Sequence, residues 1–298
     1  MTELPSAATS GPKYGWISCH GRGNSGSMTP DVDADMLHHY QVRTDESQRL
    51  YRSRHGRLEL IRTKELLRRH LPRKPSTIAD IGGGTGIHAE WLGKEGHRVL
   101  LIDPIRKHVE TAANLPGVTA TVGDARSLPW PDDSVDASLV LGPLYHLVDA
   151  VDRRRALQEA VRVTRPGGLI ASAAISRYLP LLEAGGLGVL DKKDVEECVD
   201  LIKTGRHAVD AGGFPASHFH LAAELENEVM SAGLERVVVF GVEGPLVAAL
   251  DNAEPGRAQD VLESAARCAA AVERDMQVIN LSSHLLAIAF APAAADAS

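Results

Sequence analysis

Short runs of apolar and β-branched residues alternate with amphipathic stretches along most of the chain. The short runs have the length of strands, and the longer stretches place apolar residues at helical spacing. Such an alternation predicts βαβ units, in which helices cover both faces of a parallel sheet. We expect seven strands, at 78–81, 98–102, 118–122, 132–141, 169–175, 237–240 and 284–290. The predicted fold class is therefore α/β.

Segments outside this alternation suggest further units. The first thirty residues are rich in Gly, Ser, Thr and Pro and lack apolar periodicity, which indicates disorder. A cap of amphipathic helices should then lie across the carboxyl edge of the sheet. The expected units are a disordered extension (1–30), a helical cap (31–74), a core (75–176), a lid insertion (177–220), the end of the core sheet with a helical insertion (221–291) and a tail (292–298).

Composition narrows the classes of partner. The formal net charge is −7, so no global basic field favours nucleic acid. No apolar run is long enough for a membrane span. The three cysteines are odd in number and widely spaced, which favours a reducing compartment such as the cytoplasm. His218 and His220 have no evident third ligand, so we expect no metal site.

The most informative stretch is TIADIGGGTGIH, at 77–88. It predicts a buried strand, a turn with glycines at Gly82, Gly84 and Gly86, and the start of a helix. The dinucleotide fingerprint G-x-G-x-x-G would place its third glycine at Ile87, which disfavours a nicotinamide cofactor. Asp80, just before the turn, suits a ligand that carries a cationic amine.

A second acidic residue, Asp103, ends the next predicted strand about twenty residues after the first glycine. A carboxylate at that position accepts hydrogen bonds from ribose hydroxyls. The pair of signals predicts a nucleoside ligand without a 2′-phosphate.

The sequence D-x-G-G-G-T-G resembles the first motif of class I S-adenosylmethionine (SAM)-dependent methyltransferases. Other motifs of that family follow in order up to residue 176: GDA at 123–125, DDSVD at 132–136 and RPGG at 165–168. LGPLYHL, at 141–147, strongly resembles bacterial small-molecule methyltransferases of the type 11-like group.

The resemblance implies a Rossmann-like, seven-stranded, mostly parallel sheet of the SAM-methyltransferase type, with SAM as the cofactor. The residues that it implies for cofactor binding are Tyr40, Asp80, Gly82, Gly84, Gly86, Asp103, Asp124, Ala125 and Leu141. In this family the acid at Asp124 accepts from the adenine amino group, and the next backbone N–H, at Ala125, donates to the ring.

A general base is needed only if the acceptor must lose a proton. His146 is the first candidate because it should face the acceptor beyond the fourth strand. Tyr145 is the second candidate and His220, in the lid, is the third.

The predicted function is SAM-dependent N-, O- or C-methylation of a small molecule, in secondary metabolism. One alternative is a cyclase that consumes SAM and releases methylthioadenosine, as in azetidine-2-carboxylate synthesis. Another is a protein that binds SAM without turnover, against which the intact LGPLYHL segment argues. The acceptor and the oligomeric state stay open at this point.

Met28 opens a more ordinary stretch of sequence, so we expect residues 1–27 to be dispensable. A chain that begins at Met28 should keep full activity with SAM. Loss of activity in that shortened chain would contradict the expectation.

Overall fold

A computed structural model describes residues 36, 39, 40, 49–72, 75–207 and 214–293. The predicted extension over 1–30 lies outside the described residues, as do residues 294–298 of the predicted tail. The proposed division into units stays a prediction.

Helices and strands alternate through the core, as the sequence pattern predicts. The helices are α1 (Arg49–Arg52), α2 (Arg54–His70), α3 (Ile87–Lys94), α4 (Arg106–Ala112), α5 (Pro143–His146), α6 (Ala150–Val163), α7 (Leu179–Leu187), α8 (Lys192–Thr204), α9 (Ala222–Ser231), α10 (Val247–Asp251) and α11 (Ala258–Val272). The strands are β1 (Thr77–Ile81), β2 (Arg98–Asp103), β3 (Val118–Val122), β4 (Val135–Val140), β5 (Thr164–Ile175), β6 (Arg206–His207), β7 (Ser217–His218), β8 (Glu235–Gly241) and β9 (His284–Phe290).

The main sheet has seven strands in the order β3-β2-β1-β4-β5-β9-β8. The first five are parallel to one another, and β9 lies antiparallel between β5 and β8. The predicted mostly parallel sheet is therefore confirmed. Strand order reverses between β1 and β4, and ligands of such sheets bind at the carboxyl ends of the strands beside that reversal.

Both faces of the central strands are buried, which explains their continuous apolar runs. Ile78 of β1 packs in one core cluster with Trp91 of α3, whereas Ala79 and Ile81 pack on the opposite face. All three β1 side chains are fully buried. Because β1 is fixed from both sides, the turn that follows it has a rigid base.

A buried arginine anchors the cap helix α2 to the core. Arg62 is 0 % exposed. Its guanidinium donates to the Val242 carbonyl oxygen at 3.3 Å, to Glu273 Oε2 at 2.5 Å and to Glu65. The charge is thus fully paired, which a buried charge requires, and α2 is held against the end of β8.

Several boundaries differ from the expected ones. β4 begins at Val135 rather than at residue 132, because Asp133 takes a left-handed conformation with φ of 55° and breaks the extended run. β5 begins at Thr164 rather than at residue 169, and its pairing with β4 shifts register there. The GPLYH segment forms the short helix α5 at the end of β4.

The segment predicted as a lid contains α7, α8 and the two-stranded ribbon β6-β7. A bridge between Ser176 and His220 ties the end of the ribbon to the end of β5. Among the described residues, none of the helices combines the length and apolar character needed to cross a bilayer.

Replacing Gly93 by Ala should destabilise the protein by about 3 kcal/mol or more, because a clash with backbone cannot relax cheaply. Gly93 lies inside α3, and a Cβ there would come 1.9 Å from the Pro116 carbonyl oxygen. Gly185→Ala is the matched control: that glycine is also helical, and its Cβ would meet nothing within 4 Å. The control should gain up to about 1 kcal/mol from helix propensity. Urea denaturation measures both, and equal effects of the two substitutions would contradict the packing argument.

Candidate functional site

The carboxyl ends of β1, β2 and β4 surround a cavity of about 220 Å³, which we call the wide cavity. Its walls come from the glycine turn after β1, the end of β2, the loop after β3 and helix α5. The predicted site residues among its lining are Tyr40, Gly82, Gly84, Asp103, Asp124, Ala125, Tyr145 and His146. The cavity thus brings together eight predicted positions from five separate segments of the sequence.

The glycine turn is held by close packing. Gly82 has φ of 69°, and a Cβ there would lie 2.7 Å from the Pro143 ring. Gly84 has φ of 57°, and a Cβ on it would meet nothing within 4 Å. Gly86 has φ of 87° and precedes the first residue of α3. The turn is therefore packed against α5 at its first glycine and open at its second, where a ligand can approach the backbone.

Asp80 is an ionisable side chain buried in the sheet edge. It is 1 % exposed, and its Oδ2 has no hydrogen-bond partner among the residues that the structure describes. A Cβ on Gly83 would lie 2.6 Å from the same oxygen, so only glycine leaves room for this carboxyl. Burial, followed by repulsion from Asp103, raises the pKa of Asp80 to about 7. A cation placed beside Asp80 would offset both effects.

The Asp103 side chain, at the end of β2, is held by contacts with three groups. Its Oδ2 accepts from the Gly84 N–H at 2.9 Å, and its Oδ1 accepts from the Ile105 N–H at 2.9 Å. His108 Nδ1 lies 3.1 Å from Oδ1. The carboxylate thus links β2 to the glycine turn while it lines the wide cavity. A fixed acceptor at this position suits a ligand hydroxyl.

The structure pairs Asp124 with a residue that the sequence analysis did not single out. Arg126 approaches both carboxylate oxygens of Asp124, with its Nη2 2.6 Å from Oδ2, and also donates to Asp152. Burial alone would raise the pKa of Asp124, but hydrogen bonds from Arg126 lower this pKa below its usual value. Asp124 lines the wide cavity as an ionised carboxylate that already has a partner.

An aromatic wall forms the opposite side of the wide cavity. Tyr40 Oη lies 2.8 Å from His146 Nε2. The His146 ring stacks on Phe214 at 5.4 Å and meets the Tyr145 ring edge-on at 4.5 Å. The two first-ranked base candidates, His146 and Tyr145, thus contact each other and the cap residue Tyr40. Such packing restricts the His146 ring to one orientation.

A second cavity of about 100 Å³ lies on the other side of the glycine turn, and we call it the glycine-turn cavity. Asp80 and Leu141 line it, and Tyr145 borders both it and the wide cavity. Glu59 of α2 and His284 of β9 form its far wall. All the predicted site residues except Gly86 and His220 therefore line one of two neighbouring cavities, and Gly82, Gly84 and Tyr145 line both.

His220, the third base candidate, has a different environment. It is 0 % exposed, and its Nε2 lies 2.8 Å from Glu228 Oε2. Arg153 donates to the other oxygen of Glu228 at 2.8 Å. Within the described part of the chain, His220 lines neither of the two cavities. These contacts join the lid to α6 and α9, and the role of His220 as a base stays a prediction.

Glu59, His108 and His284 also line the cavities, and Phe214 contacts the His146 ring. Phe214 and His284 carried no spacing signal. Glu59 carried such a signal. It precedes Arg62 and Thr63 by three and four residues, which is helical spacing, and all three side chains lie on the buried face of α2. Polar residues at apolar positions of a helix require partners or a ligand. His108 follows Asp103 by five residues, and only the β2-α4 turn brings the two together.

Comparison with known families adds an independent observation. Residues 79–172 match the family described as a methyltransferase domain. An uncharacterized methyltransferase of Mycobacterium bovis is 39 % identical over 99 residues, which are 33 % of this chain and 39 % of the relative. A ubiquinone/menaquinone biosynthesis C-methyltransferase of Acidiphilium cryptum is 36 % identical over 115 residues, or 36 % and 45 % of the two chains. The chain thus spans less than half the length of these relatives.

Solved structures extend the similarity of fold beyond the matched domain. A SAM-dependent methyltransferase from Thermotoga maritima, described as a possible histamine N-methyltransferase, superposes with a TM-score of 0.52 at 20 % identity. The superposition covers 87 % of this chain and 98 % of that one. At this identity the superposition shows a common fold.

Replacing Asp80 by Asn should stabilise the ligand-free protein at neutral and alkaline pH. The pKa of Asp80 is about 7 in the folded protein and near 3.8 in a model peptide, so the folded state holds this proton more tightly. Folded stability therefore falls from about pH 4 until the buried carboxyl also ionises near pH 7, by at most about 4 kcal/mol.

Chemical denaturation at about pH 5 and about pH 8 measures this difference, and the gain from Asp80→Asn should be larger at the higher pH. The effect on SAM binding should be the opposite. Calorimetry should show that Asp80→Asn binds SAM about tenfold more weakly, because one charge-assisted contact is lost. If the stability gain of Asp80→Asn did not depend on pH, the assignment of Asp80 as a buried carboxyl that ionises near pH 7 would be contradicted.

Proposed function

We propose that the chain, whose residues 79–172 match the methyltransferase-domain family, is a class I SAM-dependent methyltransferase that transfers the methyl group of SAM to a small-molecule acceptor. The observation that carries the proposal is the geometry at the strand reversal. There the open glycine turn, the buried Asp80 and the fixed Asp103 carboxylate meet at one sheet edge. These groups match the polar parts of a nucleoside that carries a cationic amine.

The residues present fit SAM in three respects. Asp80 presents a buried carboxylate oxygen that lacks a hydrogen-bond partner in the described chain, and a cationic group would satisfy it. Asp103 would accept from ribose hydroxyls. The open side of Gly84 leaves room for close approach to the backbone. Asp124 and Ala125 border the same cavity, where we assign them to the base.

When bound, SAM supplies a sulfonium-activated methyl carbon, to which an acceptor N, O or C atom bonds while the methyl carbon–sulfur bond breaks and its electron pair stays on sulfur. The protein's contribution is orientation and exclusion of water. Tyr40, Tyr145 and Phe214 supply an aromatic wall beside the glycine turn. His146 is the group that would take a proton from an acceptor that has one to lose.

The size of the cavities supports a small acceptor. The wide and glycine-turn cavities measure about 220 and 100 Å³ and are bordered by residues from α2, α5 and several strand ends. Cavities of this size take small molecules. We place the reaction in secondary metabolism as part of the same proposal. Cys198 and Cys268 are free thiols, which supports a reducing compartment such as the cytoplasm.

Mass spectrometry of SAM incubated with the pure protein, alone and with a host metabolite extract, tests the proposal. We expect S-adenosylhomocysteine only in the presence of extract, together with an extract component heavier by one CH2 group. Formation of methylthioadenosine from SAM alone would show that the protein is a SAM-consuming cyclase and not a methyltransferase. Binding of SAM without any product in either sample would show that the protein binds SAM without turnover.

Replacing His146 by Ala should lower turnover by about 10²- to 10⁴-fold if this histidine takes a proton in the reaction. SAM affinity should stay within a few-fold, because Asp80 and Asp103 are untouched. His70→Ala is a matched control, since His70 lies at the end of α2 and contacts Phe240. Steady-state kinetics and calorimetry make the comparison, and near-native turnover of His146→Ala would eliminate it as the base.

A further inference from the structure

A third cavity, of about 110 Å³, lies beyond the glycine-turn cavity, and we call it the outer chamber. Glu59 of α2 and His284 of β9 line both cavities, so these two side chains form their common boundary. The outer chamber is covered by α7, the first helix of the lid, and by α10. A molecule in the chamber would therefore lie next to the cavity that contains Asp80.

The walls of the outer chamber are apolar on one side. The apolar lining residues are Leu179, Leu182, Leu187, Pro245, Val247, Ala248 and Leu281. Leu182 and Leu187 of α7 are 39 % and 37 % exposed, so part of the apolar lining is open to solvent. These walls suit a ligand with an apolar body that enters beneath α7.

The polar lining combines three carboxylates with two histidines, Asn252 and Ser283. Glu59, Glu183 and Asp251 line the chamber, together with His55 and His284. His55 Nδ1 lies 2.8 Å from Asp251 Oδ2, so this histidine is already paired with one carboxylate. His284 Nδ1 lies 2.5 Å from Glu243 Oε1, behind the chamber wall, and 3.8 Å from Glu59. Arginine and lysine are absent from the described lining.

Glu183 is left with a carboxylate oxygen that the described protein does not satisfy. Its Oε2 is buried and has no hydrogen-bond partner among the described residues. Burial raises the pKa of Glu183 above its usual value, and the Asp251 carboxylate acts in the same direction, whereas the nearby His55 and His284 partly oppose the rise. A buried acceptor without a donor is costly, and an incoming donor with a positive charge offsets that cost.

We propose that the outer chamber binds the methyl acceptor and recognises in it a protonated amine attached to an apolar body. The inference rests on the proposed methyl transfer and concerns recognition, not the atom that is methylated. Glu183 accepts from the ammonium group and Glu59 adds a second carboxylate at the boundary with the glycine-turn cavity. The leucines of α7 cover the apolar part.

A divalent cation is the rival occupant, because ligand atoms of Glu59, Glu243 and His284 all lie within 4.8 Å of one another. The contacts of Glu243 argue against it. Its Oε2 accepts from the Ser282 hydroxyl at 2.8 Å and from the His284 N–H at 2.9 Å, and its Oε1 faces His284 Nδ1. A metal would have to displace this buried network, whereas an amine at Glu183 would not.

Calorimetry of the full chain, saturated with S-adenosylhomocysteine, tests the proposal with three probes of similar shape. These are 2-phenylethylamine, 2-phenylethanol and 3-phenylpropionate. We expect the amine to bind at least tenfold more tightly than the alcohol, and the carboxylate to bind most weakly. Equal binding of amine and alcohol, or tighter binding of the carboxylate, would overturn the inference.

Glu183→Gln keeps the shape of the side chain and removes its charge. It should weaken amine binding at least tenfold, leave the alcohol unchanged and leave SAM affinity within twofold. The matched control is Glu263→Gln on α11, an exposed glutamate outside the chamber lining, which should change none of these. Unchanged amine affinity in Glu183→Gln would refute the assignment, and thermal unfolding confirms that the variant is folded.

Two further outcomes separate this inference from the proposed function. Zn²⁺ or Mn²⁺ binding that is lost in Glu59→Gln and competes with the amine would assign the site to a metal. Methyl transfer from SAM to neutral or acidic acceptors alone would leave the proposed function intact and overturn the amine. Amine binding that depends on Glu183, without methyl transfer to any extract component, would keep the recognition of the amine and overturn both the methyl transfer and the role of the amine as its acceptor.

Discussion

The absence of side chains at Gly82 and Gly83 is the constraint on which the rest of the site depends. A Cβ at Gly82 would enter the Pro143 ring, and a Cβ at Gly83 would enter the Asp80 carboxyl. The turn can therefore lie directly between the ends of β1 and β4, where strand order reverses. That position brings Asp103 within hydrogen-bond distance of the Gly84 N–H and links the end of β2 to the same turn. Without this packing, the three strand ends would not form one cavity.

The same packing creates an electrostatic cost. Asp80 is buried beside glycine backbone and near the Asp103 carboxylate, and its raised pKa expresses that cost. Proteins retain such groups where a ligand relieves the strain. The buried carboxyl therefore acts against stability in the ligand-free protein and in favour of a cationic ligand when one binds. In this respect the chemistry of the site follows directly from the choice of glycine in the turn.

Residue patterns predicted the strands, their parallel pairing and the glycine turn because each depends on local periodicity or on a single conformational requirement. Strand boundaries were less accurate, since the left-handed Asp133 and the register shift in β5 depend on tertiary contacts. The pairing of Asp124 with Arg126 was missed, although the two are only two residues apart, because the family motif assigns the acid to a ligand. His220 was ranked as a base on its chain position, and its contact with Glu228 became visible only in three dimensions.

The polar residues of α2 show what a sequence pattern leaves out. Glu59 and Arg62 both lie on the buried face of this helix, but His284, Val242 and Glu273, which they approach, are 180 or more residues away along the chain. Arg62 is completely paired and serves to hold α2 in place. Glu59 lies on the same rigid helix, at the boundary between two cavities that each contain a buried carboxylate oxygen without a hydrogen-bond partner among the described residues. Two cations in adjacent cavities would repel each other, and a carboxylate between them reduces that repulsion. With SAM and an amine acceptor placed as we propose, Glu59 would put one negative charge beside both ligands.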